Sequence, residues 1–220
     1  MGIISVEQAN HLYWLGRYTE RVYTTIRMFF ESFDSLIDKS EDSYIFFCQS
    51  LDVPNIYKSK EEFLSLYPFD ENNPDSIISN LKRAYDNAIV LRENITTEAL
   101  SYIQLAIYEM NRAKESKAPL FELQYVLDKI LAFWGTIDDR IESEQTRNII
   151  KAGKRIERID LYARLGVERK ELLSQVHRMI PRVEKSGLLY DEQALEAVQT
   201  LAEKEELEYY KIVMYVERIL

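Results

Sequence analysis

The sequence predicts an all-α protein, a helical bundle of about seven to nine helices with a long N-terminal helix. Three observations predict it. No stretch alternates apolar and polar residues between hairpin turns, as a strand would. Six glycines and five prolines in 220 residues leave few places for the chain to break. Apolar residues recur at three- and four-residue spacing along one segment after another, which paints one face of a helix. With 46% apolar and 30% charged residues, the chain can bury a core and has the composition of neither a disordered tail nor a membrane protein. Its slender linkers offer nowhere to divide it, so residues 1–220 are expected to form a single domain.

Taken in order, Ser5 and Gln8 have the spacing of a capping box, each side chain satisfying a free backbone N–H of the other. From there to about Asp38, Leu15, Tyr18, Val22, Ile26, Phe29, Phe33 and Leu36 form one stripe, and the single Gly16 is tolerable. Residues 39–73 are less regular. Apolar clusters at Tyr44–Phe47 and Phe63–Tyr67, parted by Pro54, Pro68 and an Asp-Glu-Asn-Asn turn, suggest loop with one or two short helices. Asn73-Pro74 reads as an N-cap with proline in the first turn, opening a helix to about Glu93. Further helices are expected at Thr96–Ser116, Pro119–Ile141 and Glu144–Leu165. Gly166, Pro181, Gly187 and Asp191 then punctuate a third of shorter helices.

Composition narrows the chemistry. Thirty-seven acids against 28 bases give a net charge of −9, which disfavours the broad basic surface that nucleic acid needs. Lone Cys48 permits neither a disulfide framework nor a cysteine zinc site, and its aromatic neighbours suggest a packed thiol. No phosphate-cradling glycine loop occurs; Gly153-Lys154 falls inside a predicted helix. His11 and His177 lack the Glu-x-x-His spacing of di-iron bundles, so no metal centre and no cofactor are expected. Asp138-Asp139 resembles a magnesium-diphosphate motif, but no second acidic motif accompanies it, and a solvated helix end is the simpler reading. Apolar runs are too short for a bilayer and no secretory pattern opens the chain, so a cytoplasmic protein without membrane contact is expected. Tyr209, Tyr210 and Tyr215 crowd the last predicted helix, read mainly as core, with an aromatic surface for a partner as the alternative.

One pattern repeats. Gly16-Arg17-Tyr18-Thr19-Glu20-Arg21 is echoed by Gly153-Lys154-Arg155-Ile156-Glu157-Arg158, and Arg27 by Arg164. At about 100° per residue, Arg17, Glu20, Thr24 and Arg27 share a face broadly opposite the stripe. The second copy, with Ile149, Ala152, Ile156, Ile159, Leu161 and Leu165, is apolar nearly all round, which implies burial on both sides. A buried Glu or Arg must then be paired and hydrogen-bonded. Two readings stand: Glu–Arg pairs that crosslink central helices or occupy a solvated face, or a polar site whose guanidiniums hold a carboxylate or phosphate. Arginines gathered in these helices would make a local basic centre in an acidic chain.

The segment from Leu12 to Arg21 resembles the opening signature of the alpha-E family, a bacterial all-helical family with repeated Glu–Arg motifs. Leu91 to Glu98 is similar to its middle motif, and Gly153 to Arg164, preceded by Phe133 and Gly135, to its third. The chain departs in three ways: it is shorter than usual, it carries Lys at 154 where Arg is commoner, and it lacks a tryptophan near Leu100. Carried over by position, the motif residues are Arg17, Glu20, Arg21, Arg92, Glu93, Arg155, Glu157 and Arg158. The resemblance implies no established activity. It implies a setting, because such proteins are typically encoded beside an ATP-grasp ligase and transglutaminase-like proteins. An accessory of peptide ligation or modification follows as the leading expectation. An enzyme with Glu20 or Glu157 as acid/base and Arg17, Arg92 or Arg155 on an anionic substrate remains open, as does a purely structural homo-oligomer.

Overall fold

The computed structural model describes the backbone of residues 4–38 and 43–220, and the side chains of 4–30 and 44–220. Phe33 and Leu36 of the expected stripe therefore lie outside the described side chains. Among the described residues there are ten α-helices, one 3₁₀ turn and no strand, one helix above the expected range.

Helix α1 (Val6–Asp38) starts where predicted. Gln8 N–H donates to Ser5 Oγ and Ser5 N–H to Gln8 Oε1, closing the capping box. Short helices α2 (Ser43–Ser50) and α3 (Lys60–Leu66) and a 3₁₀ turn (Tyr67–Phe69) fill the irregular segment. Phe29, Phe47, Tyr57, Phe63 and Tyr67 knot them beneath α1, with the Phe63 and Tyr67 rings stacked at 5.0 Å.

Helix α4 (Ile77–Val90) begins three residues later than expected and ends earlier. Asn73 makes an Asx turn to the Asp75 N–H and donates to the Tyr57 hydroxyl, so it is tied to the preceding loop. Ser76 takes the cap instead, accepting from the Ser79 N–H. Helices α5 (Thr97–Glu115), capped by Thr96, α6 (Pro119–Arg140) and α7 (Glu144–Arg164), capped by Ser143, fall within a residue or two of expectation. Pro181 does not end α8 (Arg169–Glu184). It sits in the last turn, so the helix runs only three residues past it without that N–H bond, and Gly187, at φ 69°, turns the chain soon afterwards. Helices α9 (Glu192–Glu203) and α10 (Tyr209–Val216) complete the order.

Helix α1 is covered on more than one side, which leaves no solvated face for Arg17 and Glu20. Its most extensive contact is with α7 on the Glu–Arg side, and α4 covers another side, where His11 meets Asn87 and Arg83 lies over the Tyr18 ring. Arg17, Glu20 and Thr24 are consequently buried. Helix α7 is buried as its sequence implies, between α1, α8 and α10. The α5–α6 pair packs on α4 and the flank of α1, while α9 joins α8 and α10. One contiguous apolar cluster runs through these layers, from Leu12 on α1 to Ile219 near the chain end.

Candidate functional site

The two copies of the repeat meet each other. A constant offset of 137 residues relates Tyr13 to Ile150, Gly16 to Gly153, Glu20 to Glu157 and Arg21 to Arg158. The contacts obey the same relation. A Cβ on Gly16 would collide with the Ile150 carbonyl oxygen, and a Cβ on Gly153 with that of Tyr13. Helices α1 and α7 thus run in the same direction and touch backbone to backbone, related by a pseudo-two-fold axis. At each contact a glycine Cα–H faces a carbonyl, the geometry of a weak C–H···O bond. Only glycine allows this approach.

One turn further along, the glutamate of each copy takes the arginine of the other. Glu157 is fully buried and shared by two guanidiniums: Arg17 Nε donates to Oε2 at 2.6 Å, and Arg21 Nε donates to Oε1. Burial alone would push the Glu157 carboxyl up, but Arg21 and Arg17 outweigh it and hold it below the usual carboxylate range. Arg17 lies over the Trp14 ring, 5.0 Å from its centroid, so its charge is covered on a face as well as at Nε. Glu20, equally buried, accepts from Arg158 Nε at 2.5 Å and from Thr24 Oγ1 at 2.8 Å, both at Oε1.

The symmetry fails at one place. Among the described residues, Glu20 Oε2 is buried without a hydrogen-bond partner, where the equivalent oxygen of Glu157 receives Arg17. The residue in Arg17's place is Lys154, whose ammonium sits 3.8 Å from the centroid of the Trp134 ring. Burial pushes Lys154 down to about 7, against the pull of Glu20. A lysine lacks the fork that would span both partners.

Of the eight motif positions, the structure joins Arg17, Glu20, Arg21, Glu157 and Arg158. Arg155 points elsewhere and donates to Gln175 Oε1 on α8 at 2.6 Å. Arg92 and Glu93 are exposed at the α4–α5 turn and do not enter the network. Sequence reasoning overlooked the part played by Asp160, which extends the cluster on the Glu157 side. Asp160 accepts from Arg164 Nε at 3.0 and 3.1 Å, while Arg164 Nη2 donates to Glu217 at 2.9 Å. Burial, then the nearby Glu157, pushes Asp160 up to about 6. The repeated glycine was the available signal for the helix contact. For Asp160 no repeat exists, because its counterpart on α1 is Tyr23.

The larger hollows beside this network are two. Arg21, Asp160 and Arg164 line a polar cavity of about 190 Å³ with Asp52 and Tyr67. Arg17, Tyr13 and Trp14 line a larger cleft of about 580 Å³ beside Leu188, Leu189 and Leu220. Glu20 and Glu157 line neither. The arrangement works as a clamp: its glutamates are consumed by arginines from the opposite helix.

Other candidate groups are occupied structurally. Cys48 is buried, and its thiol is pushed up to about 11. Asp138 pairs with Lys151, and Asp139 with Arg140 at 3.1 Å. His11 Nδ1 lies 2.8 Å from Asn87 Oδ1. Among the described residues no three His, Cys, Asp or Glu side chains are grouped to hold a metal ion, and no helix is long and apolar enough to cross a membrane.

No curated protein and no solved structure matches the chain. A family pattern does, over residues 7–206, and its description, a predicted alpha-helical domain with a conserved ER motif, fits the paired Glu-Arg helices described above. The chain belongs to the Alpha-E family.

Proposed function

We propose that the chain is a non-catalytic accessory of a peptide-ligation or peptide-modification system, docking an ATP-grasp-type ligase or a transglutaminase-like protein that supplies the chemistry. The observation that carries this reading is the closure of Glu20 and Glu157 on arginines of the opposite helix, with neither carboxylate reaching solvent. A general acid or base must come within hydrogen-bond reach of its substrate, whereas both of these carboxylates are taken up by arginines. The genomic company typical of the family supports the choice of partner.

Co-expression with an ATP-grasp-type ligase from the same genome tests the proposal. The two proteins are expected to co-purify, and the ligase to lose activity when the chain is omitted. Absence of a complex together with full ligase activity alone would overturn it.

A further inference from the structure

Charge is unevenly placed along the chain. Residues 144–185, which hold α7 and α8, carry eleven Lys and Arg against six Asp and Glu, a net of +5. The remaining 178 residues carry seventeen against thirty-one. An acidic protein therefore presents one basic region, and the structure shows how it is built.

On α7, Lys151, Arg155 and Arg158 follow one another at four and three residues, along one face. On α8, Arg178 and Arg182 are one turn apart. Their charges bear on one another: Arg158, Arg178 and Arg182 disfavour the charged form of Arg155, with Glu20 opposing them, and Arg182 and Arg155 disfavour that of Lys151. Two of the cations are already balanced, Arg158 by Glu20 and Lys151 by Asp138. Three are not. Among the described residues, no carboxylate lies within ion-pair distance of Arg155, Arg178 or Arg182.

Arg155 and Arg182 are nevertheless held in place. Arg155 of α7 donates to the amide oxygen of Gln175 on α8 at 2.6 Å, and Arg182 of α8 donates to that of Asn148 on α7 at 2.9 Å. Both amides are buried, at 8% and 1% exposure, so they are fixed acceptors. A neutral amide orients a guanidinium without cancelling its charge. The reciprocal arrangement pins like charges together across two helices at an electrostatic cost. Burial, then its cationic neighbours, lowers Arg155 to about 10.

We propose that this α7–α8 face, centred on Arg155, Arg178 and Arg182 with Lys151 beside them, binds the phosphate group of a small phosphorylated ligand. Planar guanidiniums offer paired donors that match phosphate oxygens, and a multiply charged anion relieves the repulsion among them. The acidic remainder of the chain repels a long polyanion and leaves a compact one as the better fit. The site adjoins the Glu–Arg clamp through Arg158 and Glu20, and it does not depend on the proposed ligase partner.

The test titrates the full chain with inorganic phosphate and with pyrophosphate by calorimetry, ionic strength being held constant with potassium chloride. Saturable binding is expected for at least one of them, and which one binds distinguishes a single phosphate from a diphosphate. Arg155→Gln with Arg182→Gln is expected to weaken it at least tenfold. Arg178→Gln, at an exposed position, is expected to weaken it at least threefold without a lower melting temperature. No saturable binding of either anion, or affinity unchanged in both the double variant and Arg178→Gln, overturns the proposal. Binding of a short oligo-glutamate in place of both phosphates overturns it too, and makes the face a peptide site.

Discussion

Substitution of Gly16 by alanine is expected to wedge apart the central helices. The new Cβ would meet the Ile150 carbonyl, with its carbon at 3.0 Å and the Lys154 nitrogen at 3.1 Å, and backbone cannot rotate away as a side chain can. Restoring an ordinary carbon–oxygen contact of about 3.3 Å requires α1 and α7 to separate by roughly 1 Å. The 2.6 Å Arg17–Glu157 and 2.5 Å Arg158–Glu20 bonds cross that same interface, so they would stretch beyond useful length. Overpacking costs about 1–3 kcal/mol, and stranding a buried charge about 3–5 kcal/mol when complete. Replacing glycine inside a helix returns about 1 kcal/mol. The net expectation is a loss of about 3–7 kcal/mol, seen as a melting temperature lower by about 10 °C or more for a chain of this size. Gly153→Ala should behave alike, by symmetry. Gly135→Ala is the control: Gly135 is exposed on α6 and its Cβ would meet nothing within 4 Å, so the same change should raise stability by about 1 kcal/mol. Circular dichroism at 222 nm during heating reads all three. Gly16→Ala melting at or above the wild type would refute the reasoning.

Glu157→Gln leaves two guanidiniums facing a neutral amide and should destabilise by about 3–5 kcal/mol in urea denaturation; an unchanged midpoint would mean the clamp contributes nothing. Lys154→Arg supplies the fork that the first copy has at Arg17 and should satisfy Glu20 Oε2, raising stability by about 1–2 kcal/mol; a fall in melting temperature would contradict the symmetry argument. Asp160, with a folded-state pKa of about 6 against an ordinary value near ~3.9, binds its proton more tightly when folded. Its stabilising contribution is therefore full below about pH 4 and is lost as pH rises through 6, by about 3 kcal/mol. The melting temperature of the wild type relative to Asp160→Asn should accordingly fall between pH 4 and pH 6.5; a flat difference would remove Asp160 as the source.

The helices were legible in the chain because their signals are local. Ser5 with Gln8, Thr96 and Pro119 mark starts within a residue or two, since capping and proline chemistry act over a single turn. Asn73 misled for the same reason: its side chain is equally able to cap a helix or close an Asx turn, and a tyrosine sixteen residues earlier decided the matter. The repeat pointed to two helices that meet in the structure, while the family resemblance added Arg92 and Glu93. These match a motif in sequence while sitting at an exposed turn.

By itself the sequence determined that the chain is helical, that Gly16 and Gly153 open equivalent segments, and that a glutamate within them would need an arginine if buried. Periodicity of 3.6 residues and the cost of an unpaired charge suffice for that. Only tertiary structure decided that each glutamate is answered by the opposite copy, 137 residues away in register, and not by its own neighbours. It also decided that Lys154 leaves one oxygen unanswered, and that Arg155 turns from the clamp towards α8. Those outcomes depend on how closely two helices approach and what covers them. The approach is set by the absence of two Cβ atoms, and its consequences by side chains far apart in the chain.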